Sequence, residues 1–176
     1  MIISVEEIKK LIDFKDWTDT KLERKLKAIE QTIRSYTNNN FQRRTHRKTA
    51  DIVGGLFDVG ESVPFKSGDT VQISHPSMNA GLYVVSGTND SAFSVEEDVV
   101  DENNVLVTKV EYPADVVECC INLMEWEINN RSKVGIQSET LSRHSVTYFN
   151  QDADNQVMGY PSSLLGCLKP YRKLRC

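Results

Sequence analysis

Three histidines, four cysteines and a few acid pairs are the groups in this 176-residue chain whose types could do chemistry. His46, His75 and His144 stand apart from any metal-ligand spacing, and a zinc site needs several ligands converging. Cys119 and Cys120 are adjacent, Cys167 and Cys176 are remote, and none forms a CxxC pair. Neighbours on a helix point about 100° apart, so Cys119 and Cys120 cannot both face one metal; all four are read as buried or free thiols. "NQDADNQ" offers Asp152 and Asp154 as first and third ligands of a calcium loop. Its fifth position is Gln156, with Val157 where Gly is needed and Ser163 where the closing Glu is needed. Glu125 and Glu127 are two apart and so point to different sides of a helix. "SETLSRHS" sets Ser beside His without a partner acid, and "VGGL" and "SGTND" are turn chemistry rather than phosphate-binding loops. The expectation is no catalytic residue, no metal and no cofactor: not an enzyme.

The remaining chemistry is charge. Arg43, Arg44, Arg47 and Lys48 cluster with His46 in a chain of net charge −4. Residues 1–50 carry net +5, residues 51–118 net −11 and residues 119–176 net +2. Within the acidic third, Glu96, Glu97, Asp98, Asp101 and Glu102 fall together. Such a partition suits segments with different neighbours. The cluster can face nucleic acid, another protein, or only water.

The elements that must position these groups follow from periodicity. Ser4 and Glu7 make a capping box ahead of Val5, Ile8, Leu11 and Ile12, a short helix ending near Phe14. Asp19 or Thr20 is expected to cap a long second helix whose seam is Leu22, Leu26, Ile29, Ile33 and Tyr36, with Asn38 to Asn40 as its stop. "DIVGGLFDV", "DTVQISH", "GLYVVSG", "AFSVEED" and "NVLVTKVEY" read as five short strands between turn signals, a small barrel or meander too thin in apolar residues to stand without the helices. After Pro113 a third helix is expected, with Val117, Cys120 or Ile121, Met124 and Ile128 as its stripe. "SVTYFN" suggests a strand, "QDADNQVMGY" an exposed loop, and "PSSLLGCLKPYRKLRC" a short helix with Leu164, Leu165 and Leu168 as payload. The predicted fold class is α+β: a small bundle of three main helices (1–50 and 113–131), a β-rich small-barrel or meander insertion (51–112), and an extended C-terminal arm with a short helix (132–176).

No stretch reaches the ~18–20 apolar residues of a membrane span, and "MIISVEEIKK" lacks the form of a signal peptide. No membrane partner is expected, and a cytoplasmic origin is the default.

"KLERKLKAIEQTIRSYTNNNFQ", "ETLSRHSVTYFNQD" and "GYPSSLLGCLKPYRKLR", in this order around a β-rich middle, resemble the head–tail connector (adaptor) proteins of tailed bacteriophages. Both ends of the chain carry the resemblance; residues 51–112 carry little. It implies a structural virion protein of the neck, made in the host cytoplasm. Such a protein forms a ring, commonly of twelve copies, under the portal. The ring extends the DNA channel for the genome and offers a platform to the next connector, stopper or tail component; in it Arg43, Arg44, Arg47 and Lys48 would face that channel or the acids Glu96, Glu97, Asp98, Asp101 and Glu102 of a neighbouring copy. It further implies portal binding through Gly159, Tyr160, Pro161, Leu164, Leu165, Leu168, Lys169, Pro170 and Tyr171. The competing reading from the residues alone is a nucleic-acid-binding module using Arg43, Arg44, Arg47 and Lys48.

Overall fold

The computed structural model describes residues 1–14, 17–74, 78–131, 138–141, 144–147 and 155–174. They divide into two compact units, one of residues 40–112 with Met1, the other of residues 2–39 with the chain from Pro113 onward.

The first unit contains six strands: β1 (Gln42–Val53), β2 (Leu56–Asp58), β3 (Thr70–Ile73), β4 (Gly81–Thr88), β5 (Ala92–Val95) and β6 (Glu102–Val110). Every neighbouring pair is antiparallel, in the order β1-β2-β5-β4-β3-β6, and β6 returns to β1 to close a barrel. Closure leaves no unpaired sheet edge. "DIVGGLFDV" is not one strand but a hairpin. Val53 pairs with Leu56 across Gly54 and Gly55, whose φ angles of +59° and +82° suit the tight turn that matches strand twist. The inward positions, among them Ile52, Phe57, Val71, Ile73, Phe93 and Val107, make a core of their own. Phe57 stacks on Phe93 at 4.6 Å between ring centroids, and Phe65 meets Phe93 edge-on at 5.1 Å.

These findings correct the expected fold class. The chain is not a helical bundle with a thin β-rich insertion; it is built round a closed six-stranded antiparallel barrel, with its helices gathered in a separate unit. Two physical reasons explain the difference. Fully buried Phe and Val side chains are worth ~1.5–3 kcal/mol each, so a few suffice inside a closed barrel. The barrel also begins earlier than its apolar pattern, because "QRRTHRKT" is strand held by pairing with β6 rather than by alternation.

The second unit contains α1 (Val5–Leu11), α2 (Asp19–Thr37) and α3 (Ala114–Asn130). Two backbone hairpins follow, β7 (Ser138–Leu141) with β8 (His144–Thr147) and β9 (Gln156–Val157) with β10 (Tyr160–Pro161), and then a 3-10 helix over Gly166–Tyr171. The capping box of Ser4 and Glu7 forms in both directions. Thr18, not Asp19 or Thr20, caps α2, accepting from the Lys21 amide at 3.4 Å. The seam Leu22, Leu26, Ile29 and Ile33 is wholly buried, and Asn38 ends the helix in left-handed geometry at φ +48°. On α3 the buried stripe is Val116, Cys119, Cys120, Leu123, Met124 and Glu127, turned about one residue from the expected one. A carboxylate occupies a seam position there, which an apolar pattern does not anticipate. The C-terminal segment is not an extended arm: the 3-10 helix packs on α2 and α3, with Leu165 and Leu168 fully buried. Among the described residues no helix is long and apolar enough to cross a membrane. His75, Asp152 and Asp154 lie outside the described residues, as do Tyr148 to Asn150 of the expected "SVTYFN" strand.

Candidate functional site

The asparagines that stop α2 are also receptors for the chain's end. Asn38, held left-handed by its cap position, donates from Nδ2 to the Leu174 carbonyl at 3.0 Å. Buried Asn39 donates from Nδ2 to the Tyr171 carbonyl at 3.3 Å. The Lys173 amide donates to the Thr37 carbonyl, one of the helix-terminal acceptors left without an intrahelical partner, at 2.7 Å. Arg172 lies over the Tyr36 ring at 5.1 Å. On the other side Tyr171 donates its hydroxyl to the Asp115 carboxylate at 2.7 Å, which raises the phenol's pKa. "TNNN" and "LKPYRKL", more than a hundred residues apart in sequence, thus form one structure.

Below it lies a buried ionic node. Glu127, 2% exposed, accepts from Tyr160 Oη at 2.7 Å, from Lys25 Nζ at 2.9 Å and from Arg131 Nε at 3.0 Å, with a second bond from Arg131 Nη2. Burial alone would push the Glu127 carboxyl up; Arg131, Lys25 and Tyr160 outweigh it and hold the pKa at about 2. Burial and the same carboxylate push the Tyr160 phenol well above its ordinary range. Arg131 also covers the rings of Trp126 and Tyr160 and donates to the Gly159 carbonyl at 3.4 Å. The node thereby fixes "GYP" to α2 and α3. Nearby, the Sγ atoms of buried Cys119 and exposed Cys167 each lie 3.4 Å from the Leu164 carbonyl.

Of the residues expected to meet a portal, Tyr160, Pro161, Leu165 and Leu168 are therefore buried. Leu164 and Tyr171 are half-buried, and Gly159, Lys169 and Pro170 are exposed. Sequence reading gave no bonding role to Lys25 or Asp115, set Glu127 aside as half of a poor acid pair, and took Asn39 only as part of a helix stop. Only Glu127 left a signal, by continuing the Val116, Cys120, Leu123 spacing.

The charged clusters belong to the barrel unit. Arg43 pairs with Glu111 at 2.7 Å and Lys48 with Glu61 at 2.6 Å. Arg47 donates to Thr108 Oγ1 at 3.0 Å and Gln42 Oε1 at 3.2 Å. Arg44 is exposed and makes no ion pair among the described residues. His46 beside them is half-buried, its Nδ1 buried without a hydrogen-bond partner. The acids divide similarly. Glu102 is structural, accepting from the amides of Met78 (3.3 Å) and Asn79 (3.2 Å) and from Asn79 Nδ2 (2.7 Å). Asp101 accepts from the Gly54 amide at 2.7 Å, while Glu96, Glu97 and Asp98 are exposed. An open cleft of about 470 Å³ is lined by Glu61, Ser62, Val63, Asn89, Asp90 and Ser91, with Glu61 already held by Lys48.

No family model matches the chain, and no curated protein matches it.

Proposed function

We propose that this protein is a head–tail connector of a tailed bacteriophage, a structural virion protein that assembles as a ring below the portal, extends the DNA channel and offers a platform to the next neck or tail component. The observation that carries the reading is the union of the two segments on which the resemblance rests. Asn38 and Asn39 of "TNNN" hold the backbone of "LKPYRKL" at 3.0 and 3.3 Å.

In this reading the buried residues of the C-terminal segment are positioning residues. Tyr160, Leu165 and Leu168 anchor it, and exposed Lys169 and Pro170 with half-buried Tyr171 meet the portal. The ring contact is heterologous, two different patches of one subunit meeting, and the charge partition supports it: exposed Glu96, Glu97 and Asp98 stand as an acidic patch in a chain whose first and last thirds are basic. A nucleic-acid-binding module has less support, because Arg43, Arg47 and Lys48 are already bonded within their own barrel. Any DNA contact in the channel would be to phosphates, without sequence preference.

Light scattering of the purified protein, with and without the portal protein of its own virion, tests the proposal. A ring alone or on the portal is the expected result. A particle that stays monomeric in both conditions and binds duplex DNA with steep salt dependence would replace this reading with the nucleic-acid one.

A further inference from the structure

Four exposed large apolar side chains gather at one end of the barrel. Val53 (65% exposed) and Leu56 (42%) face outward as a pair at the tip of the β1–β2 hairpin. Val100 (59%) and Met78 (69%) lie on the segments beside it. Hydrogen bonds fix this juxtaposition. Asp101 Oδ1 accepts from Gly54 N at 2.7 Å, which joins the hairpin tip to the Val100 segment. Asn79 exchanges bonds of 2.8 and 2.9 Å with the Val100 backbone, and Glu102 accepts from the Met78 amide. A tip built this firmly, apolar and continued by the exposed acids Glu97, Asp98 and Asp101 of the Val100 segment, has the character of an interaction surface.

The chain also carries a segment of complementary charge and polarity. Leu174 is 89% exposed, yet its backbone is fixed: its carbonyl is held by Asn38 and the preceding amide by Thr37. An apolar side chain is therefore displayed on a pinned segment, flanked by exposed Arg172 and Lys173 and followed in sequence by Arg175. A leucine between cations fits an apolar tip beside acids. We infer that the barrel tip of one copy receives the Arg172–Leu174 segment of a second copy of this chain. The inference rests on the ring reading and supplies its two unlike patches.

The direct test uses a labelled peptide of residues 169–176 with Cys176→Ser, added to full-length Leu174→Glu protein, whose own tail no longer competes. Fluorescence anisotropy should show saturable binding, weakened by salt as the flanking charges are screened. Binding should fall about tenfold or more, the equivalent of ~1.4 kcal/mol, when Val53→Lys and Val100→Lys are added to the protein, and likewise when the peptide carries Leu174→Glu. Thermal melts establish that these surface variants fold. No binding, or binding indifferent to the tip variants, overturns the contact. Rings that persist in Leu174→Glu protein overturn it while leaving the ring reading intact. A monomeric wild type whose tip is occupied by its own tail, unchanged by dilution, also overturns it.

Discussion

Glu127 is a carboxylate almost out of water with three donors from three parts of its unit. Removing the carboxylate leaves the buried Tyr160 hydroxyl without its acceptor, while Lys25 and Arg131 are exposed enough to regain water. Glu127→Ala should lower stability by about 1–3 kcal/mol in urea denaturation, and Tyr160→Phe by about 1–2 kcal/mol. The pH dependence has a definite sign. The folded carboxyl titrates at about 2, against an ordinary 4.5. Its contribution is therefore complete above pH 4.5 and is lost as pH falls from there toward 2. Wild type should lose more stability over that window than Glu127→Gln, and parallel profiles would refute the assignment. The thiols offer a second check. Burial raises the pKa of Cys119 and pushes Cys120 up to about 12, whereas Cys167 is exposed. Iodoacetamide at pH 8 should modify Cys167 well before either neighbour, and equal rates would contradict the structure. The sequence showed that Cys119 and Cys120 diverge, and that Glu125 and Glu127 do. It could not show that Glu127 points inward, because its partners Lys25 and Tyr160 come from distant segments.

Among the elements, those with regular apolar spacing were legible. The α2 seam is one, since four of its residues are fully buried; the Ser4 capping box is another. β1 was obscured because seven successive polar residues from Arg43 to Thr49 hide a strand that only its pairing with β6 defines. The β1–β2 hairpin was read as one strand because its two-glycine turn interrupts no apolar alternation. That turn is testable. Open space surrounds both glycines, so only backbone geometry opposes a side chain. Gly54→Val should lower stability by about 1–2 kcal/mol, whereas Gly54→Asn, at φ +59°, should be nearly neutral because Asn tolerates left-handed geometry. Equal losses for the two in chemical denaturation would show that the turn is not of this kind.

For the whole molecule, the barrel's private core separates this architecture from the expected bundle. Residues 40–112, expressed alone, should unfold cooperatively and give dispersed amide resonances; a molten fragment would mean that the barrel leans on the helices after all. The candidate site was legible only as a resemblance. "TNNN" and "LKPYRKL" could be quoted from the chain, but their contact required the fold, since hydrogen bonds between Asn38 or Asn39 and backbone carbonyls leave no trace in residue pattern.

The two ends of the barrel segment meet. The Glu111 amide donates to the Phe41 carbonyl at 3.0 Å, and the rings of Phe41 and Tyr112 lie 4.9 Å apart. The barrel's chain therefore enters and leaves one strand spacing apart, so joining its two ends would cost the unit little loop-closure entropy.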